Sequence, residues 1–338
     1  MNTYSYPTNA ELISVAQKFL PQLELSAPVL SMFPRRAINE SMLIWEQKDN
    51  YQGLMKARGY NGSPGKINPV GISRYTMQPG VYGGFAEIDE AELTIRREEG
   101  TFNQPMDLSS QVMERTIQVT NAQVQLEEYL VWTLLASGTF TSTDAKGAVI
   151  DAKSFTQRIY TAAVTYATHA TATPLADFSA VALMHRGFSV RFDKAARAMM
   201  NLGTANDIRL NTNAADLGGK RRDFGATFNS LKQVNEVFLE NDLPQMETYD
   251  EGYYDDNGVF QLYIPNNVII VKGARTDAAP PGEWLQTRNA HNFNQAPGTY
   301  QYVEDSMGKS PPRYVRVHRG FNGGPVVEFP SAIVIIQC

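Results

Sequence analysis

Thirty residues in a row, 107–136 (DLSSQVMERTIQVTNAQVQLEEYLVWTLLA), contain neither proline nor glycine. Asp107 or Ser109 can accept the orphan N–H groups of a helix start, and Gly138 follows the end. Leu108, Val112, Val119, Leu126, Leu130 and Leu134 recur at spacings of three, four or their sums, the period of one helical face. At 1.5 Å per residue such a helix is about 45 Å long, well beyond the usual three or four turns. The stripe keeps no strict heptad, and Tyr129 and Trp132 fit poorly in a coiled-coil seam. The pattern therefore predicts a single rod serving as a mechanical spine, with the rest of the chain packed along it.

Residues 1–46 have no pattern of a compact unit. A short helix is predicted over TNAELISVAQKFL, capped by Thr8 or Asn9, and Pro21, Pro28 and Pro34 then break the chain. Leu23, Leu25, Val29, Leu30, Met32 and Phe33 lie between the prolines. An extended arm with such side chains has to lie on another surface, its own body or a neighbour. Residues 47–100 are rich in turn signals, with eleven glycines and prolines between 53 and 84 and an Asn61-Gly62 tight-turn dipeptide. Strand-like SMLIWEQ precedes this region and FAEIDEAELTI closes it. The reading is a long, protruding two-stranded loop, which is marginal without a partner.

Further along, SFTQRIYTAAVTYATH (154–169) reads as a helix, GFSVRF as a short strand, and Asp193 as the cap of a helix through DKAARAMMNL. A Gly/Asn-rich loop is expected over 201–226, then an amphipathic helix in TFNSLKQVNEVFLEN, ended by Pro244. METYDEGYY and VFQLYI form a hairpin around DDNG, where Asn257-Gly258 suits a type I′ turn. NVIIVKG reads as a buried strand, and RYVRVHRG (313–320) and PVVEFPSAIVIIQC (325–338) as late strands returning beside the spine. The sum is an α+β architecture with a discontinuous domain.

This order resembles the Hong Kong 97-type phage capsid fold, and the local sequences resemble the lambda-type major capsid protein E family. The likeness is carried by SAPVLSMFPRR (26–36), by the Arg58-Gly59 step with Gly62, Pro64 and Gly65, by FAEIDEAELTIRREEG (85–100), by QVQLEEYLVWTLLASGTFT (123–141) and by GYYDDNGVFQLYIPNNVIIVKG (252–273). None of these is a sharp motif alone; their order and spacing over most of the chain carry the resemblance. It implies an N-terminal arm (1–46), an extended E-loop (47–100), a peripheral domain with the spine helix and late strands (101–159 and 291–338), and an axial domain (160–290). It further implies a major capsid protein that self-assembles as hexamers and pentamers, hundreds of copies per shell, into an icosahedral capsid around double-stranded DNA. The expected place is the virion shell, assembled in the host bacterial cytoplasm. Further partners to expect are a separate scaffolding protein, a portal and, optionally, a decoration protein. DNA would be enclosed without sequence-specific binding, and no membrane is involved. Arg35, Arg36, Arg58, Arg74, Arg96 and Arg97 are candidates for inter-subunit contacts, because a guanidinium pairs bidentately with carboxylates.

Composition agrees. Hydrophobic residues at 43% allow a real core, and charged residues at 19% fit a chain that hides surface against neighbours, or a plain β-rich one. The net charge of −5 lacks the basic excess of a nucleic-acid reader, and a mildly acidic wall would not seize DNA by its phosphates. The lone cysteine, Cys338, permits no intrachain disulfide, no secretory signal opens the chain, and the longest aliphatic run, AIVIIQC, is too short for a bilayer. An aqueous, reducing compartment is expected.

Enzyme chemistry finds no footing. His169, His185, His291 and His318 form no HxxxH pair, and neither a nucleophile elbow nor a phosphate-loop pattern occurs. Glu247, Asp250, Glu251, Asp255 and Asp256 lack calcium-loop spacing and read as a solvated hairpin. Glu127-Glu128 reads as a polar helix face, and Lys220, Arg221 and Arg222 as a solvated basic loop. No cofactor, metal or catalytic residue is expected. Two other readings stay open: an encapsulin-like nanocompartment shell of the same fold, and an enzyme on an α+β domain with an unrecognised site.

Overall fold

Leu108–Ser137 forms one uninterrupted α-helix. It stops where Gly138 takes a left-handed φ of 72° and its N–H reaches the Leu134 carbonyl at 2.9 Å, a conformation glycine adopts without steric cost. The computed structural model describes residues 9–25, 27–48, 57–58, 60–63, 72–95, 108–144, 147–188, 190–212, 230–255, 257–275, 279–292, 296–308 and 311–338. Thr8 and Asp107, offered as helix caps, lie outside them, as do Leu25's side chain, Gly59, Pro64, Gly65 and Lys220, Arg221 and Arg222.

The spine lies on a five-stranded sheet whose centre is the thirteen-residue strand Val315–Val327. On one side this strand pairs antiparallel with Tyr300–Asp305 and then Gly282–Thr287, and on the other with Gly80–Ile88. Arg35–Ala37 adds in parallel to Gly282–Thr287. Alternation along the central strand turns Val315, Val317, Arg319 and Phe321 inward, all buried.

The arm settles on its own body. Ala27, Val29, Leu30, Met32 and Phe33 are buried in the same core as Trp132, Trp284 and Phe321, each large apolar group gaining roughly 1.5–3 kcal/mol from leaving water. Pro28–Met32 is a 3-10 turn, so the arm is not extended there. Pro21 does not break the preceding helix, which runs Asn9–Leu25; proximity to the spine outweighs the ~3 kcal/mol helix cost of an internal proline.

A second five-stranded sheet has the order Gln245–Thr248, Arg197–Met200, Val268–Lys272, Ile333–Gln337, Arg158–Thr161. Its core takes in Pro174–Met184, Leu202–Leu210 and Leu231–Glu240, three helices. Here the sequence patterns misread several pieces. The helix expected over 154–169 is instead the end of the hairpin Thr139–Thr143/Val149–Ser154 and the strand Arg158–Thr161, because Ile159, Tyr160 and Thr161 suit a strand and find Ile335, Ile336 and Gln337 to pair with. Asp193 caps only a turn (Ala195 N–H to Oδ1, 2.9 Å). Arg197–Met200 is then a strand between two others, with Ala198, Met199 and Met200 buried on both faces. The expected 201–226 loop begins with a helix, Leu202–Leu210, capped by Asn201. FAEIDEAELTI is a strand only to Ile88; Asp89 caps the short helix Glu90–Ile95 through the Glu92 N–H at 2.7 Å.

Sheet membership crosses the boundaries expected between the peripheral and axial parts. Gly282–Thr287 belongs to the sheet under the spine, and Ile333–Gln337 to the second sheet. The two sheets are thus sewn together by the chain's last strands.

Candidate functional site

A polar network runs along the buried face of the spine. Gln301 Nε2 donates to Thr116 Oγ1 (3.3 Å), and Arg319 donates to Gln301 Oε1 (2.6 Å) and Gln123 Oε1 (2.5 Å). Gln123 donates in turn to Glu127 Oε1 (2.6 Å), and Glu127 Oε2 accepts from Arg35 Nε (2.8 Å) and Nη2 (2.5 Å). Arg35 also pairs with Glu24. Four segments meet here: first helix, arm, spine and sheet. Burial holds the Arg319 guanidinium down to about 10, with Arg35 adding to the shift and Glu127 opposing it. Glu127 and Glu128, expected on a polar outer face, are both buried. Arg319 escaped the sequence reading, although its parity with Val315, Val317 and Phe321 marks it as inward.

Glu128 joins the spine to the second half. Its Oε1 accepts from Trp132 Nε1 (3.2 Å) and from the Tyr249 hydroxyl. Tyr249 stacks on Trp132 with centroids 5.6 Å apart, and Tyr253 meets Tyr129 edge-on at 4.7 Å. Burial pushes the Glu128 carboxyl above its ordinary range, with Glu251 adding to this and the two hydrogen bonds opposing it.

The loop presents a different surface. Leu43–Lys48 and Ile72–Met77 pair as an antiparallel ribbon, whereas FAEIDEAELTI, expected to close the loop, gives Phe85–Ile88 to the central strand of the first sheet instead. The loop's outer part carries Tyr60, fully exposed, and Asn61 at φ 65° in the predicted turn. Ile72, Val81, Phe85, Val149 and Ile150 are also exposed. Arg58 is exposed and Nη1 closes the tip onto the Gly62 carbonyl at 3.1 Å. Arg74 is exposed across the ribbon from Glu46. Arg36 pairs with Glu283 at 2.6 Å while half its side chain stays in solvent. Arg35 is engaged by its own chain, as described, and Arg96 and Arg97 lie outside the described residues. The four described arginines thus differ in their surroundings: Arg35 is tied into its own chain, Arg36 is half-exposed in an ion pair, and Arg58 and Arg74 are exposed.

The hairpin Gly252–Tyr254/Phe260–Leu262 exposes Tyr254, Val259 and Phe260. Its turn is not type I′: Gly258 alone among its described residues has a left-handed φ (75°), and its N–H meets the Asp255 carbonyl at 2.9 Å, the pattern of a three-residue loop with a bulge. Asp255 drives this by accepting from the Val259 N–H (2.8 Å) and Asn257 N–H (3.0 Å); the Val259 bond leads in holding its carboxyl below the usual range. Among the described residues no group of three histidine, cysteine or carboxylate side chains is placed to hold a metal, and no helix is long and apolar enough to cross a membrane. His169 pairs with Asp207 (3.0 Å), His185 is buried, and His318 stacks on Tyr302 (4.7 Å).

Whole-chain comparison decides between fold classes. The structure is similar to a protein described as the capsid protein of a prophage of Escherichia coli CFT073, with TM-score 0.63 and 12% identity, covering 98% of this chain and 99% of that one. The chain has the phage capsid fold. A phage-related protein from Bordetella bronchiseptica RB50 aligns over 98% of this chain and 97% of its own at TM-score 0.56 and 10% identity. The capsid of the native GTA particle aligns over 92% and 90% at 0.52 and 10% identity. No family model and no curated protein matches the chain. The likeness lies in the course of the backbone.

Proposed function

We propose that the chain is a structural shell protein, the major capsid protein of a tailed phage, assembling as hexamers and pentamers into an icosahedral shell around double-stranded DNA. The observation that carries this reading is the match with a prophage capsid protein over 98% of this chain and 99% of that one. The exposed apolar side chains on the loop, the 139–154 hairpin and the 252–262 hairpin fit contacts between copies. Symmetric repetition of such contacts closes a shell. The role is mechanical, and the protein is read as no enzyme; its place is the virion shell. Arg36, Arg58 and Arg74 are the described arginines whose position suits contacts between subunits.

The test is negative-stain electron microscopy of the purified chain, alone and co-expressed with neighbouring structural genes. Uniform polyhedra or hexameric rings support the reading, and DNA rather than protein inside separates a virion from a nanocompartment. Dispersed monomers under both conditions would sink it.

A further inference from the structure

Where the two sheets meet, a cavity of about 480 Å³ opens between the arm and the second sheet. Arg197, Lys272 and Arg275 line it together with Ser31, Pro34 and Pro280, and its described walls carry no carboxylate. Arg197 and Lys272 stand directly opposite one another in the ladder, a like-charge juxtaposition that destabilises a sheet. Arg197 Nε meets Glu247 at 3.2 Å, yet its Nη1 is buried with no hydrogen-bond partner. The Arg275 guanidinium is laid flat on the Phe329 ring, 3.2 Å from the centroid. Burial lowers the Lys272 ammonium from its ordinary value, with Glu247 working against the shift.

Arg197 and Lys272, opposed in the ladder with only the half-exposed Glu247 paired to Arg197, set an unfavourable field at the cavity that an anion would relieve. The volume is many times the ~30 Å³ share of a water molecule, so a multi-atom anion fits. We propose that this cavity is a binding site for a phosphate-class oxyanion, held by Arg197 and Lys272 with Arg275 at its rim. Guanidinium and ammonium together suit a tetrahedral dianion: one offers a planar fork and the other a compact charge. The site stands on its own observations and does not require that the chain build a shell.

The experiment compares thermal unfolding of the full chain in phosphate and in chloride at equal ionic strength, for wild type, Lys272→Met and Arg197→Gln. Phosphate raises the wild-type midpoint by a few degrees beyond chloride, and each substitution removes most of that rise. Lys272→Met in chloride unfolds no earlier than wild type, since it removes a like-charge pair. An equal phosphate effect in all three proteins would mean only general salting-out and would overturn the proposal, as would an absent wild-type effect. A labelled oligonucleotide then identifies the source. Lys272-dependent binding displaced by phosphate points to a nucleic-acid backbone, and phosphate binding without oligonucleotide binding points to a free ion.

Discussion

Glu127 has about 1% of its side chain exposed, binds Arg35 and reaches Arg319 through Gln123. Removing one partner of a buried pair leaves an uncompensated charge, at a cost of about 3–5 kcal/mol; Arg35 is partly solvated, which places Glu127→Ala at the lower end. Arg36→Ala breaks a pair that is half in water and costs about 0–1 kcal/mol. Urea unfolding of both variants checks the contrast, and similar losses would refute it. Glu128 behaves differently. Its folded-state carboxyl titrates above its unfolded value, so the native chain binds the extra proton, and stability falls as pH rises from the unfolded value (about 4.3) through the folded one. Glutamine keeps the acceptor for Trp132 and Tyr249 without the charge. Glu128→Gln should therefore unfold later than wild type at pH 7 and together with it at pH 4, read as midpoints at the two pH values. His185 has the opposite sign: burial lowers its pKa, so stability is lost as pH falls below the unfolded value of about 6.5.

At the level of elements, the central strand is governed by its glycines. Gly320 lies under the Tyr300 hydroxyl, Gly324 under the Phe140 ring, and a Cβ on Gly323 would come 2.3 Å from the Leu285 carbonyl oxygen. Gly323→Ala should cost about 1–3 kcal/mol as overpacking. Gly84→Ala, on the partner strand with nothing within 4 Å, should be near neutral. Equal midpoints for the two in chemical unfolding would disprove this account. The same glycines explain why RYVRVHRG and PVVEF read as two strands: in sequence a glycine run signals a turn, and only the close neighbours show that it is one strand of thirteen residues. The spine, Leu43–Lys48, Leu231–Glu240 and Val268–Lys272 were legible because their own patterns specify them. Arg197–Met200 and Arg158–Thr161 were not, because their state is set by strands far away in the chain. The stripe on the spine looked loose for a related reason. Thr116, Thr120, Gln123, Glu127 and Glu128 occupy its buried face, so a search for apolar periodicity sees gaps where the polar network lies.

For the whole molecule, if copies assemble into the proposed shell, the loop arginines are where folding and assembly would separate. Arg58 and Arg74 are exposed, and among the described residues Arg58 makes a local bond to the Gly62 carbonyl. Truncating such residues changes monomer stability by about 0.5 kcal/mol or less. A shell repeats each contact in every subunit, so a small loss per contact accumulates, with every 1.4 kcal/mol a factor of about ten in association. Arg58→Ala and Arg74→Ala should therefore lower the yield of closed particles while leaving the unfolding midpoint of the unassembled chain unchanged. Arg35→Ala should do the reverse first, lowering that midpoint because its partners Glu24 and Glu127 belong to its own chain. Sedimentation of assembly reactions alongside thermal unfolding of the free subunit reads both effects. Wild-type particle yields from Arg58→Ala and Arg74→Ala would remove the loop arginines from the interface and move the search to the exposed aromatic hairpin at 252–262.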